Sequence, residues 1–154
     1  MKMLKKTLCL LGIILVTLML ALVLLYLFSP FINNHTAADI ARELQTLPLP
    51  ENTEYLDSTS AAAKLVGNGN GMQYFGAILI KSELSLDELD EYYNNFRKSD
   101  WDLVIEEQTG SEVGFIEHRN IAFRAAMPSE ETCYIVYTWG DGIFPFSEFD
   151  IRGH

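Results

Sequence analysis

The side chains able to do chemistry are few and far apart. The three histidines are His35, His118 and His154. None falls in a His-x-x-x-His or Cys/His spacing, so no zinc set is expected. The two cysteines, Cys9 and Cys133, lie in a long apolar run and in a strand-like segment respectively. On opposite sides of a membrane boundary they could not approach within the ~7 Å Cα separation a disulfide needs. A serine nucleophile would need a strained turn of the G-x-S-x-G type, and the chain has none. The GNGNG run at 67–71 lacks the Lys-Ser or Lys-Thr pair of a phosphate loop and reads as a tight turn.

Carboxylates are abundant, but their spacing does not favour catalysis. Glu106 and Glu107 are adjacent on a strand and so point to opposite faces. Glu130 and Glu131 sit in a polar turn, and Asp87, Asp90 and Glu91 lie on one helix. No D-x-D-x-D density suggests a calcium loop. The expectation is no catalytic set, no cofactor and no metal. The tail is where function could show. Trp139, Phe144, Phe146 and Phe149 are large rings interleaved with Asp141, Glu148 and Asp150. Such rings anchor protein interfaces, so these seven residues are the candidate partner surface. The competing expectation is that the tail folds back and covers a sheet face.

The charge distribution limits the partners. The chain has 154 residues and a net charge of −10. Lys2, Lys5 and Lys6 precede an apolar run, and all twenty-one acidic residues follow it. Beyond residue 28 the balance is therefore eight basic against twenty-one acidic, a net −13. Such a surface repels nucleic acid, whose phosphates must be met by Lys and Arg. A protein partner, if there is one, is expected to be basic.

Residues 7–28, TLCLLGIILVTLMLALVLLYLF, carry no charge over 22 positions. About 20 such residues cross a ~30 Å hydrocarbon core as a helix. The three lysines before this run, and the absence of Lys or Arg at 29–40, orient it with the N-terminus in the cytoplasm. A cleaved signal would have a shorter apolar core closed by an A-x-A-like site. Here the core is longer and Pro30 follows it closely. The expected organisation is a cytoplasmic stub at 1–6, a transmembrane helix at 7–28, a connector at 29–50 and an extracytoplasmic domain at 51–154. The protein is thus expected in the cell membrane as a single-pass chain, with the lipid bilayer as its first partner. The oligomeric state is left open. Asn34-His35-Thr36 also fits a glycosylation acceptor, close to the membrane.

Within the outer part, residues 29–35 read as a connector and 36–47 as a short helix with an Ile40, Leu44, Leu47 stripe, stopped by Pro48 and Pro50. Residues 51–66 are ambiguous. Residues 72–81 read as a central strand. Ser85 and Glu88 form a capping box, flanked by the Leu84/Leu89 staple, and predict a helix over 86–98. Strands are expected at 101–105, 113–118, 121–127 and 133–139, hairpin-linked as a meander. The fold class is α+β: one main helix packed on an antiparallel sheet of about five strands.

Pro50, Ser85, Glu88, Tyr92, Tyr93, Phe96 and Trp101 together resemble a theme in small exported bacterial domains of unknown function. There a proline-led strand precedes a helix bearing paired tyrosines, followed by a tryptophan-led strand. The likeness covers about half of the outer domain. It implies a membrane-anchored or lipoprotein-like α+β module and transfers no catalytic residue. Asp100 replaces the glycine often found before the tryptophan, and no lipobox is present.

The functional expectation is a membrane-anchored, non-enzymatic binding module. The alternative is an anchored immunity-type inhibitor that meets a basic toxin with its acidic surface. A small hydrolase comes third.

Overall fold

The computed structural model describes residues 2–67, 71–97, 102–117, 120–128 and 131–154. Its elements are α1 (Lys2–Gln45), β1 (Thr53–Ala63), β2 (Gln73–Ser82), α2 (Leu86–Asn94), β3 (Val104–Glu107), β4 (Glu112–Val113), β5 (Ile121–Ala122) and β6 (Cys133–Asp141). A short 3-10 turn, Ile151–Gly153, closes the chain. The expectations for the centre of the 67–71 turn, Lys98, Asp100, Trp101, His118 and Glu130 fall outside the described residues.

α1 has two unlike halves. Its lower part is apolar and exposed, long enough to cross a membrane. Its upper part buries Ser29, Asn33, Ala37, Ala41 and Leu44. Those positions recur mainly every four residues and so lie on one face. The connector expected at 29–35 is therefore helical, and the separate helix expected at 36–47 is the upper part of α1. The Thr36 hydroxyl donates to the Ile32 carbonyl at 3.0 Å, one turn back within the same helix. Of the expected stripe Leu44 is fully buried, Ile40 and Leu47 are only partly buried at its margins, and Ala37 and Ala41 fill the remaining contact positions. Pro30 lies inside the helix, a position that removes one intrahelical hydrogen bond. Packing of the stripe and contacts from the C-terminal tail hold the helix together across it.

The small residues have a structural cause. A Cβ added at Gly76 would lie 2.6 Å from the Ala41 nitrogen and 2.6 Å from Ile40 Cγ2. The helix backbone thus rests almost directly on β2, which requires a residue without a side chain there.

The main sheet runs β1-β2-β6-β3, antiparallel throughout. β6, the last strand in sequence, inserts between β2 and β3, so the pairing is not the simple meander expected. The ambiguous stretch becomes the 11-residue strand β1, with a bulge between Tyr55 and Asp57. Among the described residues of the strands expected at 113–118 and 121–127, only two-residue pieces form, β4 and β5, paired with each other. Asp57 holds this flap against β1 by accepting from the Arg124 and Ala125 amides at 2.5 and 3.0 Å.

The sheet is covered on both faces. Leu44, Leu89, Tyr93 and Leu103 pack on Ile78, Ile80 and Val136. On the other face the flap residues Val113, Ile116 and Phe123 cover Phe75, Leu79, Cys133 and Ile135. β2 and β6 are thus buried on both sides over most of their length, which explains the apolar stretches 74–80 and 133–137. α2 starts on the expected capping box: Glu88 N donates to Ser85 Oγ at 3.4 Å and Ser85 N to Glu88 Oε2 at 2.8 Å.

Gly76→Ala should cost about 1–3 kcal/mol by overpacking the helix–strand contact. Gly110→Ala, where an added Cβ meets nothing within 4 Å, should change stability by less than about 0.5 kcal/mol. Urea unfolding of both variants in detergent, followed by circular dichroism, checks the contrast; equal midpoints would refute the close approach.

Candidate functional site

α1 and β2 rise in the same direction. Ala37 packs with Met72 and Tyr74, and Leu44, seven residues later, with Ile78 and Ile80. The Gln73 end of β2 is therefore next to the apolar half of α1, and the Ser82 end is remote from it. Over ten residues at ~3.3 Å each, the two ends lie roughly 30 Å apart. Each holds a polar arrangement.

At the near end the C-terminal tail docks on α1 through a buried network centred on Asn33, which is fully buried. Asn33 Oδ1 accepts from the Tyr74 hydroxyl at 2.8 Å. Its Nδ2 donates to the Phe146 carbonyl at 3.1 Å and to Asp150 Oδ2 at 2.9 Å. The Tyr74 oxygen in turn accepts from the Ile143 amide at 3.0 Å. Asp150, 1% exposed, also takes Arg152 Nε on Oδ1 at 2.8 Å and Arg152 Nη2 on Oδ2 at 2.5 Å. The same guanidinium reaches Asn34 Oδ1 at 2.8 Å and the Pro30 carbonyl at 3.3 Å. Burial pushes the Asp150 carboxyl up, but hydrogen bonds from Arg152 and Asn33 outweigh it and hold its pKa below the usual aspartate value. Gly153 permits the closure: a Cβ there would meet the Met72 nitrogen at 2.7 Å.

This geometry disperses the seven tail candidates. Asp150 faces inward and is neutralised by Arg152. Trp139 stacks on Tyr137 at 6.0 Å between ring centroids, against the flap-side core. Phe146 and Phe149 are half-buried, while Phe144, Asp141 and Glu148 are exposed. Lys2, Lys5 and Lys6 are exposed in the first turns of α1. Asn33, Tyr74 and Arg152 were not singled out from the sequence. Asn33 did carry a signal: it is a polar residue four positions from both Ser29 and Ala37, on the stripe that faces the sheet.

At the far end an open groove is lined by Glu54, Glu83, Glu88, Glu131 and Tyr134 around Lys81. Lys81 Nζ lies 2.9 Å from Glu54 Oε2 and 3.0 Å from Glu131 Oε2. Hydrogen bonds to Glu54 and Glu131 raise the Lys81 pKa. Four carboxylates around one ammonium leave the groove acidic.

No protein-family model, curated protein or solved structure matches the chain. Among the described residues no three His, Cys, Asp or Glu side chains converge as metal ligands would. Glu106 accepts from the Tyr137 hydroxyl at 2.9 Å, and Glu107 is exposed on the same strand.

Arg152→Ala should destabilise the fold by about 3 kcal/mol at pH 7, because it strips a buried carboxylate of its partner. The folded Asp150 titrates below its unfolded value. Its contribution is therefore present above pH ~4 and is lost as pH falls through the lower folded pKa. The penalty of the variant should accordingly shrink in acid. Urea titrations of both proteins at pH 7 and pH 3 read this directly, and a penalty constant with pH would exclude the ion pair as its source.

Proposed function

We propose that this protein is a membrane-tethered, non-enzymatic interaction module that holds an acidic groove away from the bilayer for a basic protein partner. The observation that carries the reading is α1 itself. One helix is apolar and exposed over its first half and becomes part of the domain core over its second. A domain fused in this way to its anchor cannot swing freely, unlike one on a flexible linker. Its far end is held at a fixed height. Lys2, Lys5 and Lys6 before the span support a cytoplasmic N-terminus and a domain outside the cell membrane.

The groove at the Ser82 end suits the partner chemistry suggested by the net −13 of the outer part. It is open, remote from the anchor and rich in carboxylates. Charge of one sign in a concave surface speeds capture of the opposite sign and makes it salt-dependent. An inhibitor of a basic toxin would use the same groove, and the identity of the captured protein separates it from a general binding module.

The test is capture by the full chain from detergent-solubilised native membranes and their extracellular fraction. Glu54→Gln, Glu83→Gln and Glu131→Gln together should weaken salt-sensitive retention of one basic protein by about tenfold or more, a loss of ~1.4 kcal/mol. Asp141→Asn with Glu148→Gln should leave it unchanged. The opposite ranking would move the binding surface to the tail. Protease added to intact protoplasts should remove residues 51–154; protection of that domain would reverse the orientation.

A further inference from the structure

We propose that the C-terminal tail is a second membrane contact, a collar that inserts its apolar side chains into the outer interface of the lipid bilayer around the emerging helix. This rests on residues 7–28 spanning a membrane, and it adds a lipid-binding surface to that reading.

Depth places the tail. Its bonds to α1 fall on Pro30, Asn33 and Asn34. At 1.5 Å per residue, Asn33 lies only ~7.5 Å beyond Phe28, the end of the apolar run. The headgroup layer on each side of a bilayer is ~5–8 Å thick. Phe149 and Ile151 reach lower still, lining a shallow cleft together with Tyr26 and Leu27 of the span. The tail is thus continuous with the lipid-facing surface and lies at interface level.

The chemistry of the tail suits that position. Phe144 is 78% exposed, Ile151 68% and Ile143 55%, unusual exposure for apolar side chains on a polar domain. Its one buried charge, Asp150, is neutralised by Arg152. Its backbone is largely self-satisfied: the Ser147 amide donates to the Ile143 carbonyl, and the Glu148 and Phe149 amides to that of Pro145. A segment at the edge of hydrocarbon needs such internal bonding. Glu148 remains exposed, and a carboxylate stays hydrated among headgroups. Tyr26, against which Phe149 and Ile151 lie, is a ring of the amphipathic kind that forms the interfacial aromatic belt.

The experiment places a tryptophan at one site in the full chain and reconstitutes it in phosphatidylcholine vesicles brominated high on the acyl chains. Emission is read against the wild-type background of Trp101 and Trp139. Phe144→Trp, a change at an exposed position, should lose most of its added emission. Glu83→Trp at the far groove should lose none. Leu20→Trp in the span should be quenched by vesicles brominated deeper. Quenching at Leu20 without quenching at Phe144 overturns the collar and leaves the anchor intact. Failure at Leu20 overturns the anchor, and the collar falls with it. Equal quenching at Phe144 and Glu83 overturns the collar as a local contact.

Discussion

The contact between the upper half of α1 and β2 is what the remaining architecture depends on. Ala37, Ala41 and Leu44 lie along the strand, and Gly76 lets the two backbones meet. Moving the helix outward by one side-chain thickness would uncover Tyr74, Ile78 and Ile80 together. The same shift would draw Asn33 away from Tyr74 and Asp150, since those bonds span only 2.8 and 2.9 Å. Helix packing and tail docking are therefore one coupled event. A close contact of this kind leaves little room for gradual adjustment, because protein interiors are packed like crystals.

A buried polar network is a costly way to hold a tail. An apolar tail packed on an apolar helix would be simpler and often as stable. The network supplies direction. Asn33 offers one acceptor and two donor hydrogens in fixed geometry, and Tyr74, Phe146 and Asp150 each meet one side of it. An apolar tail could slide along an apolar helix, whereas this one is held in register with the helix turn that contains Pro30. The Arg152 bond to the Pro30 carbonyl lies one turn beyond the point where proline interrupts the helix ladder. The tail therefore bridges the apolar and the packed halves of α1.

Local rules made several parts of the molecule legible. Ser85, Glu88 and the leucines around them marked the start of α2, because capping is satisfied within four residues. The apolar stretch 74–80 within the segment 72–81 marked a central strand, since burial on both faces is what tolerates it. Other parts were misread for equally physical reasons. Residues 29–35 read as a connector, but tertiary contacts carry the helix through Pro30 and outweigh its local cost. Hairpin spacing suggested a meander, but pairing depends on which apolar faces need cover, and β6 needed cover on both. The tail showed its aromatic residues plainly; the fact that Asp150 turns inward depends on Asn33, 117 positions away.

By itself the sequence determined the properties that arise within one stretch of chain: an uncharged run long enough to cross a bilayer, a basic stub before it, an acidic remainder, a capped helix and strand-forming segments. Hydrophobicity, charge and hydrogen bonding between near neighbours suffice for these. Tertiary structure alone decided that the helix continues through Pro30 into the core, that β6 lies between β2 and β3, and that the tail closes on Asn33. Those outcomes depend on contacts between residues far apart in the chain, where a glycine's missing side chain or an asparagine's second hydrogen bond matters only once its partner has arrived.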